Sequence, residues 1–194
     1  MEFTNKINLF LDLLSNLEEE IFEQAQQIAQ KLTFILENKG TIYVMGNGGS
    51  CSQSSHFVAE LVGRLERDRF PIAAVDLCSS VSVITCIAND FGYDKIFARQ
   101  ISALASPKDC IVALSTSGNS RNVYAGLKNA KENNVFTIGL LGRDGGIASS
   151  MCDLACIVPL QKSANIQEIH LILIHLICEF IEVTIVKPNS RSHG

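Results

Sequence analysis

From Thr41 onward short apolar runs alternate with segments of helical periodicity across polar or glycine-rich breaks, with no convincing internal repeat. The apolar runs fall at 41–45, 72–77, 110–114, 136–141 and 154–159. Runs this short, and apolar at consecutive positions, predict strands covered on both faces. The intervening segments at 52–66, 80–89, 94–103, 120–133 and 165–186 predict helices. Short apolar strands interleaved with helices predict a five-stranded parallel sheet, doubly wound, in a flavodoxin-like α/β/α sandwich. The first 38 residues follow a different rule. Ile7, Phe10, Leu11, Leu14, Leu17 and Ile21 recur at helical spacing, predicting a helix or helix pair that ends at Gly40. Nothing divides the chain, so residues 1–194 read as a single domain with an N-terminal helical region (1–38) and a polar tail (187–194).

The 47% hydrophobic content and mean hydropathy of +0.21 are high for a water-exposed surface. The excess is expected in contacts between subunits rather than in a membrane. The most apolar stretch, 166–186, is interrupted by Gln167, Glu168, His170, His175, Glu179 and Glu182, which no bilayer span of that length would carry. The N-terminus lacks the charged, apolar and small-residue order of a secretion signal, so a cytoplasmic location is expected. A net charge of −4 gives no attraction to nucleic acid. Arg64, Arg67 and Arg69 alternate with Glu66 and Asp68, as on a solvated helix end. Seven cysteines include no C-x-x-C pair, and Cys78, Cys86, Cys110 and Cys156 sit among apolar residues. That pattern reads as small core side chains in a reduced protein.

In a sheet of this kind ligands bind beyond the carboxyl ends of the strands. The first strand runs into Gly46-Asn47-Gly48-Gly49-Ser50. Glycines let a backbone approach a ligand, and the following helix offers free N–H groups. The same loop also serves as a plain tight turn. It lacks the Lys of a P-loop and the third glycine of a dinucleotide fingerprint. The third strand ends in Ser115-Thr116-Ser117-Gly118-Asn119-Ser120. Ser120 is placed to cap the next helix, but capping does not account for three further hydroxyls at one strand end. Two such loops side by side favour a small anionic ligand such as a phosphate. Asn89-Asp90, before Phe91-Gly92, reads as a helix stop.

His56 and Glu60 lie four apart, on one face of the helix that the glycine loop opens. In the last helix Gln167 and His175 are separated by about 80° around the axis, whereas His170 is turned about 140° from His175. Histidine and glutamate in so apolar a helix need partners. A metal site or an acid–base site competes with simple core packing. Gln167 and His175 are also about 12 Å apart along the helix, so either their side chains lean together or different subunits complete one site.

On GNGGS (46–50), HFVAELVGR (56–64), AND-FG (88–92), STSGNS (115–120), GRDGG (142–146) and IQEIH followed by His175, the chain resembles the phosphoheptose isomerases of the sugar-isomerase (SIS) superfamily. The resemblance spans residues 10 to 186. It implies conversion of sedoheptulose 7-phosphate to D-glycero-D-manno-heptose 7-phosphate, the entry to heptose for surface polysaccharide such as lipopolysaccharide. It implies Glu60 and His175 as the catalytic pair, and one zinc ion per subunit on His56, Glu60, Gln167 and His175. Substrate contacts would come from Asn47, Gly48, Gly49, Glu60, Asn89, Asp90, Ser115, Thr116, Ser117, Ser120 and Gln167. It further implies a homotetramer with active sites between subunits. The chain departs from the family at Cys51, Ser52 and Gln53, and at Ala164 and Asn165. Two rival readings are a non-catalytic relative that regulates replication initiation, and an SIS isomerase of another sugar phosphate. Regulators of the first kind lack the acid–base pair that Glu60 and His175 supply here.

Overall fold

The computed structural model describes residues 3–17 and 19–185; the polar tail, with His193, lies outside the described residues. Five strands, β1 (Ile42–Gly46), β2 (Ala74–Asp76), β3 (Cys110–Ser115), β4 (Phe136–Gly142) and β5 (Leu154–Val158), form one sheet in the order β2-β1-β3-β4-β5, every neighbour parallel. This is the expected doubly wound order. Its direction reverses between β1 and β3, so the first crevice beyond the strand ends opens between their loops.

The strands alternate their faces. Ile42, Val44, Val112, Leu114, Ile138 and Leu140 meet α2 (Glu19–Glu37), α3 (Gly49–Val62) and α8 (Ser163–Ile185) on one side. Tyr43, Met45, Ile111, Ala113 and Leu141 meet α4 (Val81–Phe91), α5 (Ile96–Leu104), α6 (Arg121–Glu132) and the single turn α7 (Gly146–Ser149) on the other. Apolar burial on both faces is what a parallel sheet requires.

The N-terminal region is a helix pair. In α2, Ile21, Ala25, Ile28, Ala29, Leu32 and Ile35 form the buried stripe, whereas α1 (Phe3–Ser15) has no fully buried residue and packs only the half-buried Phe10 and Leu14 against the core. Three expectations need correction. The helix expected over 94–103 begins as a 3-10 turn, Tyr93–Lys95, before α5. Cys86 is exposed, because α4 turns Ile84, Ile87 and Ala88 toward the core and Cys86 away from it. Arg69 does not belong to a solvated helix end: its side chain is 1% exposed and paired with Glu182. All seven cysteines are free thiols.

Candidate active site

The two strand-end loops converge at the crevice between β1 and β3. Asn47 and Asn122 exchange amide hydrogen bonds of 2.8 Å, each Nδ2 donating to the other's Oδ1. The Tyr93 hydroxyl donates to Asn47 Oδ1 at 3.0 Å. Asn122 is 2% exposed and sits one position into α6, so it locks the first loop to the helix that follows the second. Neither Asn122 nor Tyr93 was among the expected site residues.

In the second loop, Ser115 Oγ accepts from the Gly118 N–H (3.1 Å) and Ser117 Oγ from the Asn119 N–H (3.1 Å), folding the hydroxyls inward. Gly118 takes φ 64°, and a Cβ there would strike the Gly145 carbonyl. The Ala148 N–H donates to the Gly118 carbonyl at 2.9 Å, so the GRDGG segment braces this loop from behind. Ser120 occupies the N-cap position of α6, but its side chain makes no capping bond. The capping role expected of its hydroxyl is therefore not what the structure shows. The Thr116 hydroxyl meets that of Ser163 at 3.2 Å, bringing the start of α8 to the same place. Three helix N-termini, those of α3, α6 and α8, thus end near a set of small hydroxyls. Their dipoles and free N–H groups favour an anion.

Asn89 and Asp90 lie in the last turn of α4, exposed, with the Asn89 amide donating to Asp90 Oδ1 at 2.8 Å. No hydrogen bond ties either to the loops among the described residues; Tyr93, just beyond them, makes that connection.

The second half of the site lies between α3 and α8. His56 Nε2 is 2.8 Å from His175 Nε2 and 3.5 Å from Glu60 Oε1. The two rings meet edge to face at 5.1 Å. One ring nitrogen from each histidine and a Glu60 oxygen all fall within 4.8 Å of one another. These three groups come from one chain, so they need no neighbour to meet. The Gln167 side-chain amide lies against Gly49, where a Cβ would be 2.5 to 2.8 Å from it. The backbone carbonyl of Gln167 accepts from Gln53 Nε2 at 2.5 Å. Helical phase separates the histidines of α8 as expected. His170 is fully buried, its Nε2 against the Leu141 carbonyl at 3.2 Å and its Nδ1 without a partner. Burial lowers its pKa to about 4, so it stays neutral.

The donor chemistry suits a divalent cation. Two imidazole nitrogens and a carboxylate are a recurrent zinc set, in which donors stand about 3.3 Å apart. Rotations of a few tenths of an ångström would open the 2.8 Å His56–His175 contact to that spacing. Cys178, one turn beyond His175, is the only thiol on this face, and burial pushes its pKa up, away from the thiolate a metal takes.

A family model described as SIS domain matches residues 3–142. A phosphoheptose isomerase from Helicobacter pylori strain P12 is 43% identical over 164 residues, covering 84% of this chain and 85% of its own. The chain belongs to the phosphoheptose isomerases. One from Geobacter metallireducens is 39% identical and covers 96% of this chain and 98% of its own length. The solved phosphoheptose isomerase of Neisseria gonorrhoeae superposes with a TM-score of 0.87 at 37% identity, covering 93% of this chain and 96% of that one. The matched SIS region stops before α8, so these full-length relatives are what extend the likeness to Gln167 and His175. The chain is thus an isomerase of the SIS fold, and no helix among the described residues is long and apolar enough to cross a membrane.

Proposed function

We propose that this isomerase interconverts sedoheptulose 7-phosphate and D-glycero-D-manno-heptose 7-phosphate, supplying heptose for surface polysaccharide such as lipopolysaccharide from the cytoplasm. The observation that carries the reading is the cluster of His56 and Glu60, on the helix that leaves the phosphate-type loop, with His175 of α8. A carboxylate beside two imidazoles is a proton-transfer set, and the loop half is an anion set. A sugar phosphate needs both.

In this mechanism the hydroxyls of Ser115, Thr116, Ser117 and Ser120, with the loop N–H groups of Gly48 and Gly49, hold the phosphate. Asn47, Asn89, Asp90 and Gln167 orient the sugar hydroxyls. Glu60 takes the proton from one of C1 and C2 and returns it to the other, through a cis-enediol. His175 moves the accompanying proton between O1 and O2. Each such group is worth about a hundredfold or more in rate. His56, Glu60 and His175, with Gln167, would hold a zinc ion, which polarises a carbonyl and stabilises enediolate charge when bound. Glu60 cannot act freely as base while fully engaged as a ligand, so the base role requires its carboxylate to loosen.

Residues 1–194 act as one domain in this reading, and four copies assemble with sites completed across subunits. Support comes from the apolar surface a single chain leaves bare. Phe3, Ile7, Leu9 and Leu11 on α1 are 55% exposed or more, and Leu176 beside His175 is 44% exposed. A groove of about 170 Å³ lined by Phe22, Ala25, Ala29 and Phe180 continues that surface. The test is turnover of sedoheptulose 7-phosphate with and without a chelator, alongside the mass of the particle in solution. Turnover of another sugar phosphate alone would sink the substrate assignment, and chelator-insensitive turnover would sink the zinc.

A further inference from the structure

The reacting cluster depends on how α3 lies against α8, and two polar ties fix that. At one end Gln53 Nε2 donates to the Gln167 carbonyl (2.5 Å). At the other, a buried ion pair joins Arg69, after the end of α3, to Glu182 of α8, with side chains 1% and 3% exposed. Arg69 Nη2 donates to the carbonyl of Glu60 itself at 2.6 Å, and Nη1 to that of Leu61 at 2.9 Å. These are carbonyls that the last turn of a helix cannot satisfy internally. Glu182 accepts the backbone N–H groups of Leu65 (3.1 Å), Glu66 (3.3 Å) and Arg67. Those bonds hold its carboxyl below the usual carboxylate range, against the opposing effect of burial.

Helix geometry places this joint behind the site. Glu182 follows His175 by seven residues, about 20° around the axis and about 10 Å along it, so both face α3. We propose that Arg69 and Glu182 are positioning residues for isomerisation: their buried joint pins the backbone of Glu60 and so sets Glu60 and His56 against His175. The claim rests on the reading of that cluster as the isomerase site. Arginine is required because one planar fork reaches a carboxylate and two carbonyls together, which an ammonium on a flexible stem does not.

Truncating either partner strands a buried charge and threatens folding, so the test uses Arg69→Lys, which keeps the charge but not the fork. Steady-state kinetics on sedoheptulose 7-phosphate should show kcat reduced about tenfold with KM within twofold. The His56 and His175 ring resonances, each in the other's ring current, should shift. A lowered Tm with kcat unchanged overturns the proposal and leaves the pair a structural joint. Should Arg69→Lys fail to fold, Glu182→Gln is read in its place by the same criteria. If the unaltered enzyme does not turn over this substrate, the functional reading fails instead. The positioning claim then stands or falls on whether the ring resonances move in Arg69→Lys.

Discussion

At the ends of β1 and β3 the groups offered to a ligand are backbone N–H groups and short hydroxyls, fixed by turns and by the amide pair of Asn47 and Asn122. Between α3 and α8 they are long side chains whose placement depends on how two helices are tied together. The loop half is built before any side chain chooses a rotamer; the helix half exists only when both helices are in place. A cradle of the first kind suits the part of a substrate that does not react. A cluster of the second kind suits proton transfer, where a carboxylate has to move between partners. The two halves should therefore respond differently to substitution, the helix half in kcat and the loop half in KM.

The largest expected effect tests the helix half. Glu60→Gln keeps the shape of the side chain and removes its basicity, and kcat should fall about a hundredfold or more. His175→Gln should do the same. KM should move little in either variant, since neither residue belongs to the phosphate loops. Steady-state kinetics decide it. A rise in KM with kcat intact would place Glu60 among the binding groups and erase the division of labour.

The second effect sharpens the helix half by separating its reacting face from its packing face. His170, five residues before His175, is held neutral by burial, with a pKa near 4 against an ordinary 6.5. Above pH 6.5 both folded and unfolded chains carry it neutral and its effect on stability is constant. As pH falls from 6.5 toward 4 the unfolded chain binds the proton first, so the fold loses stability. At about 1.4 kcal/mol per pH unit the loss approaches about 3 kcal/mol. Urea unfolding between pH 4 and 7 should show this slope, and His170→Leu should flatten it while leaving kcat near that of the parent. A flat profile in the parent would mean that His170 reaches solvent in the folded state.

Much of this was legible in the residues. Short apolar runs between helices predicted the parallel sheet and its two covered faces, because strand length and burial are local signals. Helical phase picked His175 over His170 for the same reason. What escaped depended on contacts between distant segments. Arg69 looked like one of several solvated charges, since no local pattern marks a guanidinium that caps a helix from nine residues away. Asn122 and Tyr93 gave no signal of their own, and the Asn47 contact that defines them spans the crevice. Cys86 looked buried because its neighbours in the chain are apolar, but α4 turns Ile84, Ile87 and Ala88 inward and Cys86 outward. About 12 Å apart along α8, Gln167 lies on Gly49 and His175 meets His56 within one chain, contacts that helical phase alone did not reveal.

The smallest expected effect tests the loop half, at Ser120. A serine at an N-cap normally holds a helix N–H, and its loss costs about 0.5 to 2 kcal/mol of stability. Here the Ser120 side chain makes no such bond, although Tyr124 N–H does reach the backbone carbonyl of Ser120 at 2.9 Å. Alanine keeps that carbonyl, so Ser120→Ala should leave Tm essentially unchanged. If the hydroxyl instead donates to the substrate phosphate, one lost hydrogen bond of about 1 kcal/mol should raise KM roughly fivefold. Thermal unfolding and initial rates on the same preparation separate the two roles. A lower Tm with KM unchanged would return Ser120 to the helix as an ordinary cap and leave the phosphate to the other hydroxyls. A higher KM with Tm unchanged would show that this helix start was left uncapped so that its substrate could cap it.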